Sequence, residues 1–272
     1  MLKHRLIFTL LMDRGVFMLS RNFRLQKVGG LSWIKEHYDF NSIAFSIDEL
    51  VVLNVERGRK DTELFSRNVS ELTKNCFMPL AAGGGVNSVD VAFRLFDAGA
   101  DKLVVNTAII KDAELVKSLV RTFGGQSIIA SIDYKIIDGR EHVVTDNGSF
   151  DTDLSVEAAV RRAVDLGAGE IYLTSMNRDG TGQGYDIETL RKASAVSPVP
   201  IIASGGAGRF DHMAEAINKG SVQAVSTANL FNFMAGGLTE TRAVLKEHGI
   251  AMAEWNVGSG TGVFPVSKAW AR

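Results

Sequence analysis

What the chain has little of limits it first. One cysteine, Cys76, among 272 residues excludes an intrachain disulfide and fits a reducing cytoplasm. The five histidines, at positions 4, 37, 142, 212 and 248, show no metal-ligand spacing, so neither a metal site nor any other cofactor is expected. Neither sign of charge is in excess. Thirty basic residues stand against 31 acidic ones, which argues against a general attraction to nucleic acid or membrane. No apolar run reaches transmembrane length. The nearest thing to a leader is Leu6–Met12 behind Lys3-His4-Arg5. It is short, lacks a small-residue cleavage site and is broken by Asp13-Arg14, so it reads as a first buried strand. No linker divides the chain, and residues 1–272 are expected to form a single domain whose tail after about 255 is loose.

What is present is a repeated glycine turn. Pro200-Ile201-Ile202-Ala203-Ser204-Gly205-Gly206-Ala207-Gly208 is a short apolar run ending in glycines, ahead of a helical-looking segment. The run suits a strand buried on both faces. The glycines allow a sharp turn and bring free backbone N–H groups to the start of the next helix, where an anion, phosphate above all, is held. Tight turns also use glycine without binding anything. Pro79-Leu80-Ala81-Ala82-Gly83-Gly84-Gly85-Val86 repeats the pattern 121 positions earlier, and the blocks 48–54 and 99–108 recur at the same offset as 169–175 and 220–229. Such a repeat with alternating strands and helices points to an α/β fold, a (β/α)8 TIM barrel built from two duplicated half-barrels.

Eight barrel strands are expected, at about 5–11, 48–53, 78–82, 101–105, 127–132, 169–174, 199–203 and 222–226. Between them, Leu64, Val69 and Leu72, then Val89, Ala92, Phe93 and Phe96, then Val156, Ala159, Val160 and Ala163 recur at helical spacing. Asp138-Gly139 and Asp146-Asn147-Gly148 predict a small hairpin in the long connection from 133 to about 155.

In such a barrel the ligand groups lie at the C-terminal ends of the strands. Asp133 closes the run Ile128–Ile132 and is read as a general acid or base aimed into the mouth, with a loop or capping role as the alternative. Two pseudo-symmetric glycine turns give two anion sites on opposite sides of one mouth. One is expected near Gly84, Gly85, Asn106 and Thr107, the other near Asp179, Gly180, Gly205, Gly206, Ala228 and Asn229. A ligand carrying two phosphates would span them.

The segments 79–86, 99–108, Leu173-Thr174-Ser175-Met176-Asn177-Arg178-Asp179-Gly180-Thr181 and 201–208 closely resemble the cyclase subunit family of imidazole glycerol phosphate synthase, from about residue 4 to 250. The resemblance implies a barrel docked as a heterodimer on a glutaminase subunit. Ammonia would enter at the bottom, travel through the barrel and react at the top with a phosphate-bearing substrate. It also implies two catalytic aspartates, at the ends of the first and fifth barrel strands. Asp133 matches the second. The first is Leu11, in Arg5-Leu6-Ile7-Phe8-Thr9-Leu10-Leu11, with Asp13 two residues on as the only nearby substitute. The family's loop lysine is Leu19 and its second-strand aspartate is Asn54. These three departures set ordinary cyclase activity in question.

The bottom keeps the family's pattern. Arg5, Glu49, Lys102 and Glu170 match its ammonia entrance, and Asp101 matches a residue that docks the glutaminase. Charged strand starts also serve simply to solvate a barrel's lower end. A kept entrance beneath an altered mouth is similar to a divergent branch that supplies ammonia for amidination of a nucleotide-linked sugar in surface-polysaccharide synthesis, with a third, ATP-using protein as a further partner. Two other readings stay open: a true cyclase of histidine biosynthesis, and a non-catalytic barrel that binds and activates a glutaminase.

Overall fold

The computed structural model describes residues 3–38, 46–74, 76, 78–229 and 237–253. Its strands are β1 Arg5–Asp13, β2 Val16–Arg21, β3 Arg24–Gly29, β4 Glu49–Asn54, β5 Leu80–Gly83, β6 Lys102–Val105, β7 Ile128–Ile137, β8 Arg140–Thr145, β9 Phe150–Asp151, β10 Glu170–Ser175, β11 Ile201–Ser204 and β12 Ala224–Thr227. Eight of them pair in parallel and close on themselves in the order β1-β4-β5-β6-β7-β10-β11-β12. Helices follow most barrel strands, which makes this the (β/α)8 barrel that the sequence predicts. The tail after about 255 falls outside the described residues.

Side-chain alternation splits the apolar residues into two cores. Ile7, Val51, Ala81, Val104, Ile129 and Ile202 point into the barrel, together with Tyr172 and Ala224. Their strand neighbours, such as Leu6, Phe8, Leu50 and Leu103, pack outward against the helices. Each strand is therefore apolar on both faces, as parallel strands must be.

The helices start at the mouth end, where short polar side chains cap them. Asp61 accepts from the Leu64 N–H, Ser88 from Val91, Ser155 from Ala158 and Asp186 from Thr189. The predicted helical faces are buried or partly buried with one exception. Phe93, expected on the buried face, is 48 % exposed and packs edge-on against Phe123, with ring centroids 4.9 Å apart. No helix among the described residues is long and apolar enough to cross a membrane.

The duplication is visible in the backbone. Gly84 and Gly85 have φ of 94° and 93°, and their mates Gly205 and Gly206 have 87° and 110°. Side chains at these angles are strained, and a Cβ on Gly84 would strike the Asn54 carbonyl. The first strand of each half also runs on into a hairpin above the mouth. β7 pairs antiparallel with β8, as predicted. β1 pairs with β2 across the turn Arg14-Gly15, and β2 with β3, a hairpin the sequence reading leaves out.

Candidate functional site

Charge closes the bottom of the barrel. Arg5 bonds Glu49 at 2.9 Å and also pairs with Glu170, while Lys102 lies 3.0 Å from Glu49 and 3.2 Å from Glu170. All four stand at strand starts and alternate in sign around the barrel, so each charge has an opposite on either side. Both glutamates are buried. Burial pushes the Glu49 carboxyl upward, against the pull of Lys102 and Arg5. Burial works to lower the Arg5 pKa, but hydrogen bonding and charge from Glu170 and Glu49 hold it above its ordinary value.

Asp101, next to this ring, is exposed, yet its carboxylate is occupied. It accepts the Leu80 N–H at 2.8 Å, fixing the start of β5. Asp48 does the same for Leu6 and is itself held by the buried Arg242.

At the other end lies a cavity of about 1030 Å³ whose lining includes Leu11, Gly84, Gly85, Asn106, Thr107, Asp133 and Asp179. Asn106 donates to Asp133 at 2.9 Å. Desolvation pushes the Asp133 carboxyl up to about 7, helped by the charge of Asp179 and opposed by hydrogen bonds from Asn106 and Thr174. A carboxyl that titrates near neutrality can both give and take a proton.

Strand register fixes what faces it. Leu11 pairs with Leu53, and Asp133 pairs with Thr174. Leu53 and Thr174 are 121 positions apart, the repeat offset, so Leu11 is the pseudo-two-fold mate of Asp133. Where the second half presents a carboxylate, the first presents a buried isobutyl group. Asp13, at the end of β1, is absent from the cavity wall and lies 4.0 Å from Arg14. Asn54 is buried and accepts the Glu56 N–H.

A smaller hollow of about 190 Å³ adjoins the second glycine turn, lined by Gly180, Gly205, Gly206, Ala228, Asn229, Leu19, Arg21 and Arg24 among others. Asp179 borders it but points its carboxylate at the β2–β3 hairpin, accepting from the Ser20 hydroxyl at 2.5 Å and the Phe23 N–H at 3.1 Å. Asn22 adds bonds to the Met176 and Asn177 carbonyls. Asp179 therefore acts here as a clamp on the hairpin. An anion would instead meet backbone N–H groups at the turn and the two arginines.

The sequence reading assembles neither of two groups of side chains in the mouth. Thr9, Tyr172 and Ser226 join hydroxyls in a triangle of 2.7–2.9 Å inside the barrel, and Ser204 donates to Tyr172 at 3.1 Å. Arg57, Arg59 and Lys60 line the cavity rim. The basic run after a strand end was a visible signal for the second group. Nothing in the sequence joins the first, because its members lie up to 217 positions apart.

A model of the histidine biosynthesis protein family matches residues 39–235. A candidate imidazole glycerol phosphate synthase subunit hisF2 of Parasynechococcus marenigrum is 38 % identical over 96 % of this chain and 97 % of its own length. The imidazole glycerol phosphate synthase subunit HisF of Chlorobium luteolum is 35 % identical over 93 % of this chain and 99 % of its own. That of Chloroherpeton thalassium is 40 % identical over 75 % and 82 %. With a closed eightfold barrel and relatives matched nearly end to end, the chain belongs to the histidine biosynthesis protein family, among the relatives of the HisF cyclase subunit of imidazole glycerol phosphate synthase.

Proposed function

We propose that this chain is the ammonia-accepting synthase subunit of a glutamine amidotransferase complex, and that its acceptor differs from that of the ordinary cyclase. A glutaminase docks beneath the ring of Arg5, Glu49, Lys102 and Glu170. Ammonia passes up the barrel past the apolar layer and reacts in the mouth beside Asp133, while glycine turns hold phosphate groups of the acceptor. The acceptor class is a nucleotide-linked sugar undergoing amidination, with a third, ATP-using protein to activate it. The site of action is the cytoplasm.

Leu11 carries this reading. Cyclisation as the resemblance implies it needs carboxylates on both sides of the substrate, and general acid–base groups each contribute about 10²–10⁴-fold. An alkyl side chain at the mate of Asp133 moves no proton. Asp133 alone, titrating near 7, can still protonate a leaving group or take a proton from an attacking amine.

Two assays on the purified full chain test the proposal. A class I glutaminase should co-purify with it in a 1:1 complex. Given ammonium salt and the two-phosphate substrate of the cyclase, the chain should turn over at least about 10²-fold more slowly than an ordinary cyclase. Turnover at the ordinary rate would return the chain to histidine biosynthesis. Failure to bind any class I glutaminase would remove the amidotransferase reading.

A further inference from the structure

We infer that the first half of the mouth holds a diphosphate rather than a single phosphate, the second phosphoryl group being bound by Arg57 and Arg59. This deepens the proposed function, on which it rests for taking the mouth as the substrate site.

The observation is an asymmetry between halves that are otherwise duplicated. After β10, the connection 176–185 carries one cation, Arg178, beside one anion, Asp179. Its mate after β4 reads Val55-Glu56-Arg57-Gly58-Arg59-Lys60, with three cations and one anion. That anion is already occupied, since Glu56 bonds Arg14 at 3.1 Å and accepts the Asp61 N–H at 3.0 Å. The other acids on the cavity wall are engaged too. Asp146 pairs with Lys111 at 2.6 Å, Asp112 caps a helix and Asp179 clamps the hairpin. Asp133 is held partly protonated at neutral pH. Lys60 feels the charges of Glu56 and Asp13, but among the described residues no carboxylate pairs with Arg57 or Arg59.

Placement makes the excess usable. Lys60 lies against the first glycine turn, where a Cβ on Gly85 would meet its side chain, and among the described residues its ammonium donates only to the Asn54 carbonyl, at 2.7 Å. Arg57 donates to the Phe23 carbonyl at 2.9 Å, which draws its guanidinium toward the hairpin at the rim. Arg59 is exposed and makes no hydrogen bond or ion pair with any described residue. A phosphate on the turn uses backbone N–H groups and Lys60. It leaves the Arg59 fork and the remaining N–H groups of Arg57 unmatched, and guanidinium forks fit phosphoryl oxygens two at a time. A second phosphoryl group, reaching from the turn toward the rim, meets them.

Calorimetric titration of the full chain with inorganic phosphate, inorganic pyrophosphate and a nucleoside diphosphate at physiological ionic strength tests this. Pyrophosphate should bind at least about tenfold more tightly than phosphate. The double variant Arg57→Gln, Arg59→Gln should abolish that preference while leaving phosphate affinity within about twofold. Arg94→Gln, on the exposed face of the outer helix Val89–Asp97, should leave the preference intact and controls for a general loss of positive charge. Binding of the nucleoside diphosphate at least as tightly as pyrophosphate assigns the group to a nucleotide. Binding of pyrophosphate alone assigns it to a non-nucleotide diphosphate. Equal affinities for phosphate and pyrophosphate, or a preference that survives in the double variant, would overturn the inference and leave the amidotransferase reading standing. If none of the three anions binds, both fall.

Discussion

Asn106 donates its side-chain N–H to the Asp133 carboxylate at 2.9 Å, joining the ends of the neighbouring strands β6 and β7. The bond favours the charged carboxylate, yet burial outweighs it and carries the carboxyl up to about 7 from an ordinary 3.8. Asn106, expected among the phosphate ligands, is thus also the residue that orients the candidate acid–base group.

The shift makes Asp133 a source of pH-dependent stability. Below pH 4 the carboxyl is protonated in the folded and unfolded chains alike. Between there and about pH 7 the unfolded chain ionises first, so native stability falls as pH rises, and above 7 the loss is constant. Asp133→Asn, which keeps an acceptor for Asn106, should therefore raise stability by about 1–3 kcal/mol at pH 8 and leave it unchanged at pH 4. Urea melts at the two pH values decide it. An equal effect at both would mean that the carboxyl titrates normally.

The ring at the bottom predicts an unequal response to loss of one member. Arg5→Met leaves Glu49 and Glu170 facing each other with Lys102 alone between them. The cost should be up to about 3 kcal/mol, less where water reaches the gap. Adding Glu170→Gln should recover part of it, because the pair of like charges is gone. If the double variant is less stable than Arg5→Met, the glutamates do not repel as the geometry requires.

Docking and folding can be separated at Asp101. Asp101→Asn retains an oxygen for the Leu80 N–H, whereas Asp101→Ala leaves that donor without its partner. We expect Asn to keep the melting temperature within about a degree and Ala to cost about 1 kcal/mol. Pull-down of the glutaminase with the Asn variant then reports the surface alone. Undiminished capture would place the docking surface elsewhere.

Tyr172→Phe tests the hydroxyl triangle. The phenol links β10 to β1 and β12 inside the barrel, and its removal leaves Thr9 and Ser226 to bond each other at 2.7 Å. The expected cost is about 1–2 kcal/mol, without loss of fold. A neutral result by thermal melting would show that the remaining hydroxyls, or water, replace the phenol fully.

Much of this molecule was legible in the sequence, for identifiable reasons. The barrel strands were readable because parallel strands buried on both faces leave continuous apolar runs, and the glycine turns because only glycine fits φ near 90° beside another strand's carbonyl. Asp133 stood out as a carboxyl closing such a run. The β2–β3 hairpin did not, since its turn residues Asn22-Phe23 carry no glycine, although both adopt positive φ. Asp179 was assigned to the second anion site and, by resemblance, Asp101 to the partner. Their hydrogen bonds to Ser20, Phe23 and Leu80 depend on contacts between distant segments that spacing along the chain does not encode.

The central claim is that Leu11 has taken the place of a proton-transferring carboxylate, and one comparison addresses it directly. Ammonium-driven turnover of the two-phosphate substrate of imidazole glycerol phosphate synthase should be measured for the chain as it stands, for Leu11→Asp, and for Leu11→Asp with Leu19→Lys, each first shown to be folded by its thermal melt. No glutaminase is needed. The account predicts turnover at least about 10²-fold below an ordinary cyclase for the chain itself, and a rise of about tenfold or more on installing the carboxylate opposite Asp133. Turnover at the ordinary rate with leucine in place, or folded variants that gain nothing, would contradict it.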